Sequence, residues 1–116
     1  MIYKIRSLKT SFLIMLLFSS LLSSNEIIVI DVRSFEEVKT GVIQDAIHIE
    51  WTKIEEEITN LDISKEQPIY LYCRSGNRSG KATKILEKIG YTNAINAGGI
   101  TEAAKKLDKK IVKYSE

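Results

Sequence analysis

Apolar residues beyond position 24 fall into two kinds of segment, short continuous runs and longer stretches with a helical spacing. Residues 26–32 form a run rich in β-branched side chains, which is typical of a buried parallel strand. Residues 69–73 form a second apolar run, introduced by Pro68. The stretch that follows has the i, i+3, i+4, i+7 spacing of one buried helix face, at Ala82, Ile85, Leu86 and Ile89.

The rest of the chain continues this alternation. Ser34 is placed to cap a short helix through about Thr40, with acidic residues in its first turn and Gly41 after it. The same patterns predict a strand over 46–49, a helix with Ile54, Ile58 and Leu61 on one face, a C-cap at Gly90, a strand over 94–96, a turn at Gly98-Gly99 and a helix over about 101–110. Strands that alternate with helices predict a single α/β domain, with a mostly parallel central sheet flanked by helices.

The first 24 residues differ in kind. Lys4, Arg6 and Lys9 precede an almost wholly apolar run over 12–22, and two small residues, Ser23 and Ser24, follow it. This is the pattern of a secretory signal peptide, and the run is short for a membrane span. We therefore predict a leader over 1–24 and an exported mature domain over 25–116, with no stable membrane association after the leader is cleaved. An uncleaved N-terminal membrane anchor is the alternative.

The leader accounts for the basic character of the chain. All 15 acidic residues lie beyond residue 24, against 14 basic ones, so the mature domain has a net charge of about −1. No basic stripe with interleaved aromatic residues is present, which argues against a nucleic-acid partner. The chain has one cysteine, Cys73, and an odd thiol in an exported protein indicates a reactive group rather than a disulfide.

Cys73 lies where a strand ends and a helix is about to begin. Amide N–H groups in the first turn of a helix lack intrahelical partners and stabilise an anion. With Arg74 and Arg78 nearby, they should lower the pKa of the thiol from its usual ~8.5. Gly76 allows the loop to turn tightly, and Ser79 is a candidate N-cap. The alternative is a buried, inert cysteine at a strand end.

Three motifs follow one another along the chain. The first consists of Asp31-Val32-Arg33, Glu37, Gly41, Ile43 and Ala46-Ile47-His48-Ile49. The second is the loop Cys73-Arg74-Ser75-Gly76-Asn77-Arg78-Ser79, and the third is Gly90-Tyr91 with Asn96-Ala97-Gly98-Gly99. In this order they resemble the N-terminal motif, the active-site loop and the C-terminal motif of the rhodanese family of sulfurtransferases. The chain departs from the family at Asp45, where a glycine is common, and at Ala103, near the usual place of a tryptophan.

The resemblance implies a single-domain, periplasmic sulfurtransferase with a persulfide on Cys73 as its intermediate. A small anionic donor such as thiosulfate would supply the sulfur, and cyanide or a thiol would accept it, with no cofactor and no metal. The family's loop implies that the substrate is bound by Arg74, Ser75, Gly76, Asn77, Arg78 and Ser79. From their positions, Asp31 and Arg33 are expected to form a supporting ion pair, and Trp51 and Tyr72 to pack in the core or at its rim. His48 is expected to be a strand-end residue that binds no metal.

Two other functions stay open. Cysteine phosphatases and arsenate reductases also hold a thiolate in an anion-binding loop, but they place five residues between cysteine and arginine, whereas four separate Cys73 from Arg78. A non-catalytic sulfur carrier would have the same loop as the enzyme, so the sequence does not separate these two.

Overall fold

Strands and helices alternate along most of the described chain. The computed structural model describes residues 26–115. Its elements are β1 (Ile28–Asp31), α1 (Phe35–Val38), β2 (Val42–Ile43), β3 (Ile47–His48), a 3₁₀ helix (Trp51–Lys53), α2 (Ile54–Ile58), β4 (Ile69–Cys73), α3 (Asn77–Lys88), β5 (Ala94–Gly99), α4 (Ile100–Leu107) and β6 (Ile111–Val112).

Four of the strands form the central sheet, in the order β3-β1-β4-β5. Every neighbouring pair in it is parallel. The remaining strands, β2 and β6, pair antiparallel in a separate two-stranded sheet. This arrangement confirms the predicted α/β class, with a parallel sheet flanked by helices. It also brings the C-terminal ends of β1, β3, β4 and β5 to one edge, where ligands bind in open α/β sheets.

The sheet separates two hydrophobic clusters, because successive side chains of a strand point to opposite faces. The larger cluster joins Ile30, Leu71 and Cys73 to α2 and α3 through Ile54, Ile58, Ala82 and Leu86. The smaller cluster lies on the other face and joins Val29, Tyr72 and Ala97 to β2 and α4 through Ile43 and Ala103. Cys73 is thus the last residue of a buried strand, on the face that α3 covers.

Local signals predicted the beginning of α1 well. Ser34 and Glu37 form the reciprocal hydrogen bonds of a capping box, so the predicted N-cap is confirmed. The helix ends at Val38, and the chain continues in turns to Gly41. Gly90 follows the C-terminal end of α3 with a φ of +100°, as predicted for a residue that stops a helix.

Other predictions were wrong in extent or in kind. Gly98 and Gly99 belong to β5 and do not form a turn, because both pair with β4 after a register shift. The final helix ends at Leu107, where Asp108 adopts a left-handed conformation. The two-residue strands β2 and β6 were not predicted, since neither is long enough to show a period.

The predicted leader lies outside the described residues. Among residues 26–115, no helix has the length and apolar character needed to cross a membrane.

Candidate active site around Cys73

The site begins where β4 ends at Cys73 and the chain turns into α3. Gly76 is the N-cap of α3 and has a φ of +93°, a left-handed conformation that glycine adopts without steric cost. This turn directs the Gly76 amide at the cysteine sulfur, and the N–Sγ distance is 2.9 Å. The loop therefore bends back over the sulfur.

Ser79 provides the second contact to the sulfur. Its Oγ lies 3.3 Å from Cys73 Sγ, and both residues are buried. The prediction that Ser79 caps the helix was wrong, because α3 begins two residues earlier, at Asn77. Ser79 therefore lies inside the first turn, and its hydroxyl is free to face the thiol.

The environment of the thiol favours its ionised form. Burial raises the pKa of Cys73, but hydrogen bonds from the Ser79 hydroxyl and from the amides of Ser79, Ser75 and Gly76 outweigh burial and lower the pKa below its ordinary value. Only 1% of the cysteine surface is exposed. The thiol is thus buried, as the inert alternative requires, but its hydrogen bonds are those of a stabilised thiolate.

The strand β5 lies close to the loop and completes the cradle around the sulfur, which consists of the loop 74–76, Ser79 and the end of β5. A Cβ atom on Gly99 would lie 2.6 Å from the carbonyl oxygen of Arg74, so only glycine fits beside the loop. Asn96, also on β5, accepts a 2.7 Å hydrogen bond from Ser79 and donates a 3.0 Å bond to the Gly76 carbonyl. No separate role for Asn96 was predicted from the sequence. The register shift beside it depends on strand pairing, which no local pattern reveals.

Arg78 faces Glu37 on α1. Its two terminal nitrogens donate to the two carboxylate oxygens at 2.6 and 2.8 Å, and each side chain is 29% exposed. The hydrogen bond from Arg78 is the main cause that lowers the pKa of Glu37 from 4.5 to about 2. The positive charge predicted to bind substrate is therefore already matched by a carboxylate.

Asp31 and Arg33 form a buried ion pair at the end of β1. Arg33 Nη2 lies 2.6 Å from Asp31 Oδ2 and donates a second 2.6 Å bond to the carbonyl of Gly41. Burial disfavours the charge of Arg33, yet the hydrogen bond and charge of Asp31 prevail, so the pKa of Arg33 is raised. This pair links the end of β1 to the segment that precedes β2.

The other predicted loop residues lie at the surface. Arg74, Ser75 and Asn77 are exposed. Arg74 lines an open pocket of about 350 Å³ with residues from the first helical segment and from the end of β1, namely Arg33, Glu36, Glu37 and Thr40. Arg74 makes no ion pair with any residue in the range 26–115, so its charge is available at the mouth of the site.

The residues expected to pack have structural contacts. Tyr72 is buried, and its hydroxyl oxygen accepts a 2.9 Å hydrogen bond from the Ile43 amide. Burial raises the pKa of Tyr72, so this phenol is neutral. Trp51 packs beside the larger cluster under the ammonium of Lys81. His48 Nε2 lies 2.7 Å from the carbonyl oxygen of Arg33.

A parallel sheet with a cysteine cradle at the end of a central strand defines a rhodanese-like sulfurtransferase domain. The sequence profile of the rhodanese-like domain matches residues 17–106, and the chain belongs to this family. The resemblance noted in the three sequence motifs is therefore confirmed. The profile begins inside the predicted leader, and the boundary after residue 24 stays a prediction.

Individual relatives agree with the family. The chain is 37% identical over 75 residues to thiosulfate sulfurtransferase PspE of Escherichia coli. The aligned region covers 65% of this chain and 72% of PspE. A solved structure described as a rhodanese with anions from E. coli superimposes with a TM-score of 0.70 at 34% identity, covering 77% of this chain and all of that one.

A larger relative contains a similar domain. The adenylyltransferase and sulfurtransferase uba4 of Ogataea parapolymorpha is 34% identical over 86 residues, or 73% of this chain. The match spans only 22% of that protein's length, so the similarity concerns one part of it.

Proposed function

We propose that this protein is a thiosulfate sulfurtransferase that carries a sulfane sulfur atom as a persulfide on Cys73. The observation that carries the proposal is the pair of contacts on Cys73 Sγ, from the Gly76 amide at 2.9 Å and from Ser79 Oγ at 3.3 Å. These contacts favour a thiolate, which is the nucleophilic form of cysteine. The similarity to the E. coli thiosulfate sulfurtransferase supports the choice of donor.

The first half-reaction loads the enzyme. The Cys73 thiolate attacks the outer sulfur of thiosulfate, a new S–S bond forms, and the old S–S bond breaks with its electron pair leaving on sulfite. The attacking form is the thiolate, which the hydrogen bonds at Cys73 Sγ favour, so this step uses no general base. Loop amides at the N-terminus of α3 then stabilise the negative charge on the outer sulfur of the persulfide.

The second half-reaction transfers the outer sulfur of the persulfide from Cys73 to an acceptor. A nucleophile, cyanide or a thiolate, attacks the outer sulfur of the persulfide, and the Cys73 thiolate leaves with the electron pair of the S–S bond. The enzyme thereby returns to its starting state. Splitting the transfer into two displacements is ordinary covalent catalysis, and it requires neither a cofactor nor a metal.

The mouth of the site suits a small anion. Arg74 presents an exposed guanidinium beside the pocket, where it can steer a dianion such as thiosulfate toward the loop. Arg78 is held by Glu37, so in this proposal it contributes chiefly to the position of α3 and less to donor binding. The solved E. coli structure is that of a rhodanese with anions, which supports an anion-binding site in the family.

We also infer that the protein acts after export. The leader over residues 1–24 supports a periplasmic location, in which the mature domain meets small diffusible donors and acceptors. The net charge of about −1 beyond the leader supports small-molecule partners rather than nucleic acid.

Mass spectrometry of the intact protein tests the intermediate. After treatment with thiosulfate, we expect a gain of one sulfur atom, since a persulfide differs from the thiol by that atom alone. Cyanide should remove it. The isosteric variant Cys73→Ser should show no gain, because the chain has no other cysteine.

Steady-state assays then separate an enzyme from a carrier. Repeated turnover of thiosulfate and cyanide to sulfite and thiocyanate is expected of the enzyme, whereas a carrier would stop after one equivalent. Absence of any sulfur adduct on the wild-type protein, or phosphatase turnover exceeding sulfur transfer, would overturn the proposal.

A further inference from the structure

The amide of Asn96 joins three parts of the site. Its Oδ1 accepts hydrogen bonds from Ser79 Oγ at 2.7 Å and from the Gly98 amide at 3.0 Å, and its Nδ2 donates to the Gly76 carbonyl at 3.0 Å. The Gly98 amide can only donate and the Gly76 carbonyl can only accept, so these two partners fix the orientation of the Asn96 side chain.

The Ser79 hydroxyl has one proton and two neighbouring acceptors. Asn96 Oδ1 lies 2.7 Å from Ser79 Oγ, and Cys73 Sγ lies 3.3 Å from it. When the sulfur is a thiol, its S–H can donate to Ser79 while Ser79 donates to Asn96, and every group is satisfied. When the sulfur is a thiolate, both neighbours require the same proton.

We propose that Asn96 is a positioning residue that competes with Cys73 for the single proton of the Ser79 hydroxyl. Ionisation of the thiol turns the hydroxyl from Asn96 to the sulfur, which leaves two oxygens facing each other across 2.7 Å without a proton between them. Asn96 therefore opposes the thiolate through Ser79. The inference rests on the proposed function only for its catalytic meaning, because the competition exists whatever the thiol does.

The competition affects the loaded state in the opposite way. In the persulfide the negative charge moves to the outer sulfur, and Cys73 Sγ no longer attracts the hydroxyl proton. Ser79 can then donate to Asn96 again, and the full set of hydrogen bonds returns. Asn96 thereby favours the Cys73 persulfide over the free Cys73 thiolate.

Removal of Asn96 should leave the rest of the loop in place. The Gly76 carbonyl also accepts a 3.0 Å hydrogen bond from the Gly80 amide, the first bond of α3. Asn96 is exposed, so truncation of its side chain leaves no buried cavity. An Asn96→Ala change removes the acceptor of the Gly98 amide and of the Ser79 hydroxyl, and of these two donors only Ser79 contacts the sulfur.

The charged groups around the thiol do not change in this variant. They are Arg78 on α3, paired with Glu37 on α1, the Asp31–Arg33 pair at the end of β1, and Arg74 in the loop. The neighbouring strand β5 contains no ionisable side chain, and Glu102 on α4 lies over Gly98. A shift in the titration of Cys73 would therefore report the hydrogen bond.

The test is the pH dependence of iodoacetamide alkylation, measured on the full chain of each variant. We expect Asn96→Ala to lower the pKa of Cys73 by about half a unit to one unit, equal to about a three- to tenfold faster reaction at pH values below that pKa. Asn96→Asp keeps an acceptor opposite Ser79 and adds a negative charge, so it should raise the pKa.

Three comparisons decide the outcome. Asn93→Ala removes an exposed asparagine that immediately precedes β5, at the end of the strand away from the sulfur, and should not shift the titration. In a Ser79→Ala background, Asn96→Ala should have no effect, because the contested proton is gone. A raised or unchanged pKa in Asn96→Ala, or the same shift with and without Ser79, would overturn the proposal. Persulfide formation is measured separately, so its absence would contradict the proposed function and not this one.

Discussion

Glu37 connects two elements through a small set of strong contacts. It receives two hydrogen bonds from Arg78 on α3, and it also accepts bonds from the amide and the hydroxyl of Ser34, the N-cap of α1. The sequence predicted Ser34 as the N-cap, and the structure adds Glu37, three positions further on, as the second member of a capping box. The pairing with Arg78 spans 41 positions and could not be predicted locally.

Loss of either partner should destabilise the fold. We expect Arg78→Ala and Glu37→Gln each to lower the free energy of unfolding by about 1–2 kcal/mol, because the pair is bidentate and partly buried. In a double-mutant cycle, the variant with both changes should be only slightly less stable than either single variant, because each change removes the same interaction. Urea denaturation provides the measurement, with Lys39→Ala as the control, since its pair with Glu36 is exposed and should contribute almost nothing.

The same pair predicts a dependence of stability on pH. The pKa of Glu37 falls from 4.5 in the unfolded chain to about 2 in the fold. A lowered carboxyl pKa contributes stability that is complete above 4.5 and is lost as the pH falls toward 2. Glu37→Gln should remove this part of the acid sensitivity. Equal acid sensitivity in the variant and the wild type would contradict the assignment.

Helices and strands with a clear periodicity of apolar residues were predicted from the sequence. Strand residues whose conformation depends on pairing with a distant strand were not. The buried face of α3 follows directly from its apolar spacing. Gly98-Gly99 was assigned to a turn because adjacent glycines favour turns, but pairing with β4 holds both residues in β5. The two-residue strands β2 and β6 exist only because they pair with each other.

Asp45, in the turn between β2 and β3, has a φ of +68°, a conformation that suits glycine. Its side chain is 77% exposed, and among residues 26–115 its ion-pair partner is Lys109, at 3.6 Å. We therefore expect Asp45→Gly to raise the free energy of unfolding by about 0.5–1 kcal/mol, because relief of backbone strain exceeds the loss of a surface ion pair.

Thermal unfolding measures this effect, and Asp62→Gly is its matched control. Asp62 is exposed and is not among the described residues with a positive φ, so glycine there should be neutral or destabilising. If Asp45→Gly is no more stable than the wild type, the strain at this turn is negligible.

At the scale of the whole molecule, the order of the motifs was enough to predict both the fold class and the place of Cys73 at the end of a central strand. Parallel strands meet at one edge, so a cysteine that ends a central strand lies at that edge. The depth of the sulfur could not be predicted in the same way. It depends on how far Gly76 turns the loop back and how closely Gly99 lets β5 approach.

The burial of the sulfur predicts that small thiol reagents modify Cys73 more readily than bulky ones. Cys73 is 1% exposed, so iodoacetamide should modify the native protein far more readily than a bulky maleimide does. Relative to the rates in urea, we expect the bulky reagent to be slowed by at least about tenfold more than the small one, since it must await local opening of the loop. The control is Ser75→Cys in a Cys73→Ser background, which places the thiol on an exposed residue. Equal slowing of both reagents would contradict the prediction.

The burial of the sulfur also affects the oxidation of the thiol by air to a disulfide-linked dimer. A disulfide between two chains requires Cα atoms about 5.5–6 Å apart, and the turned-back loop keeps a second copy of Cys73 from coming that close. Oxidative dimers should therefore not accumulate, although the chain has an unpaired thiol. In the proposed persulfide, the outer sulfur would lie about 2 Å beyond Cys73 Sγ. Transfer to a thiol acceptor would then require a shorter approach to the buried cysteine than a disulfide with Cys73 itself does.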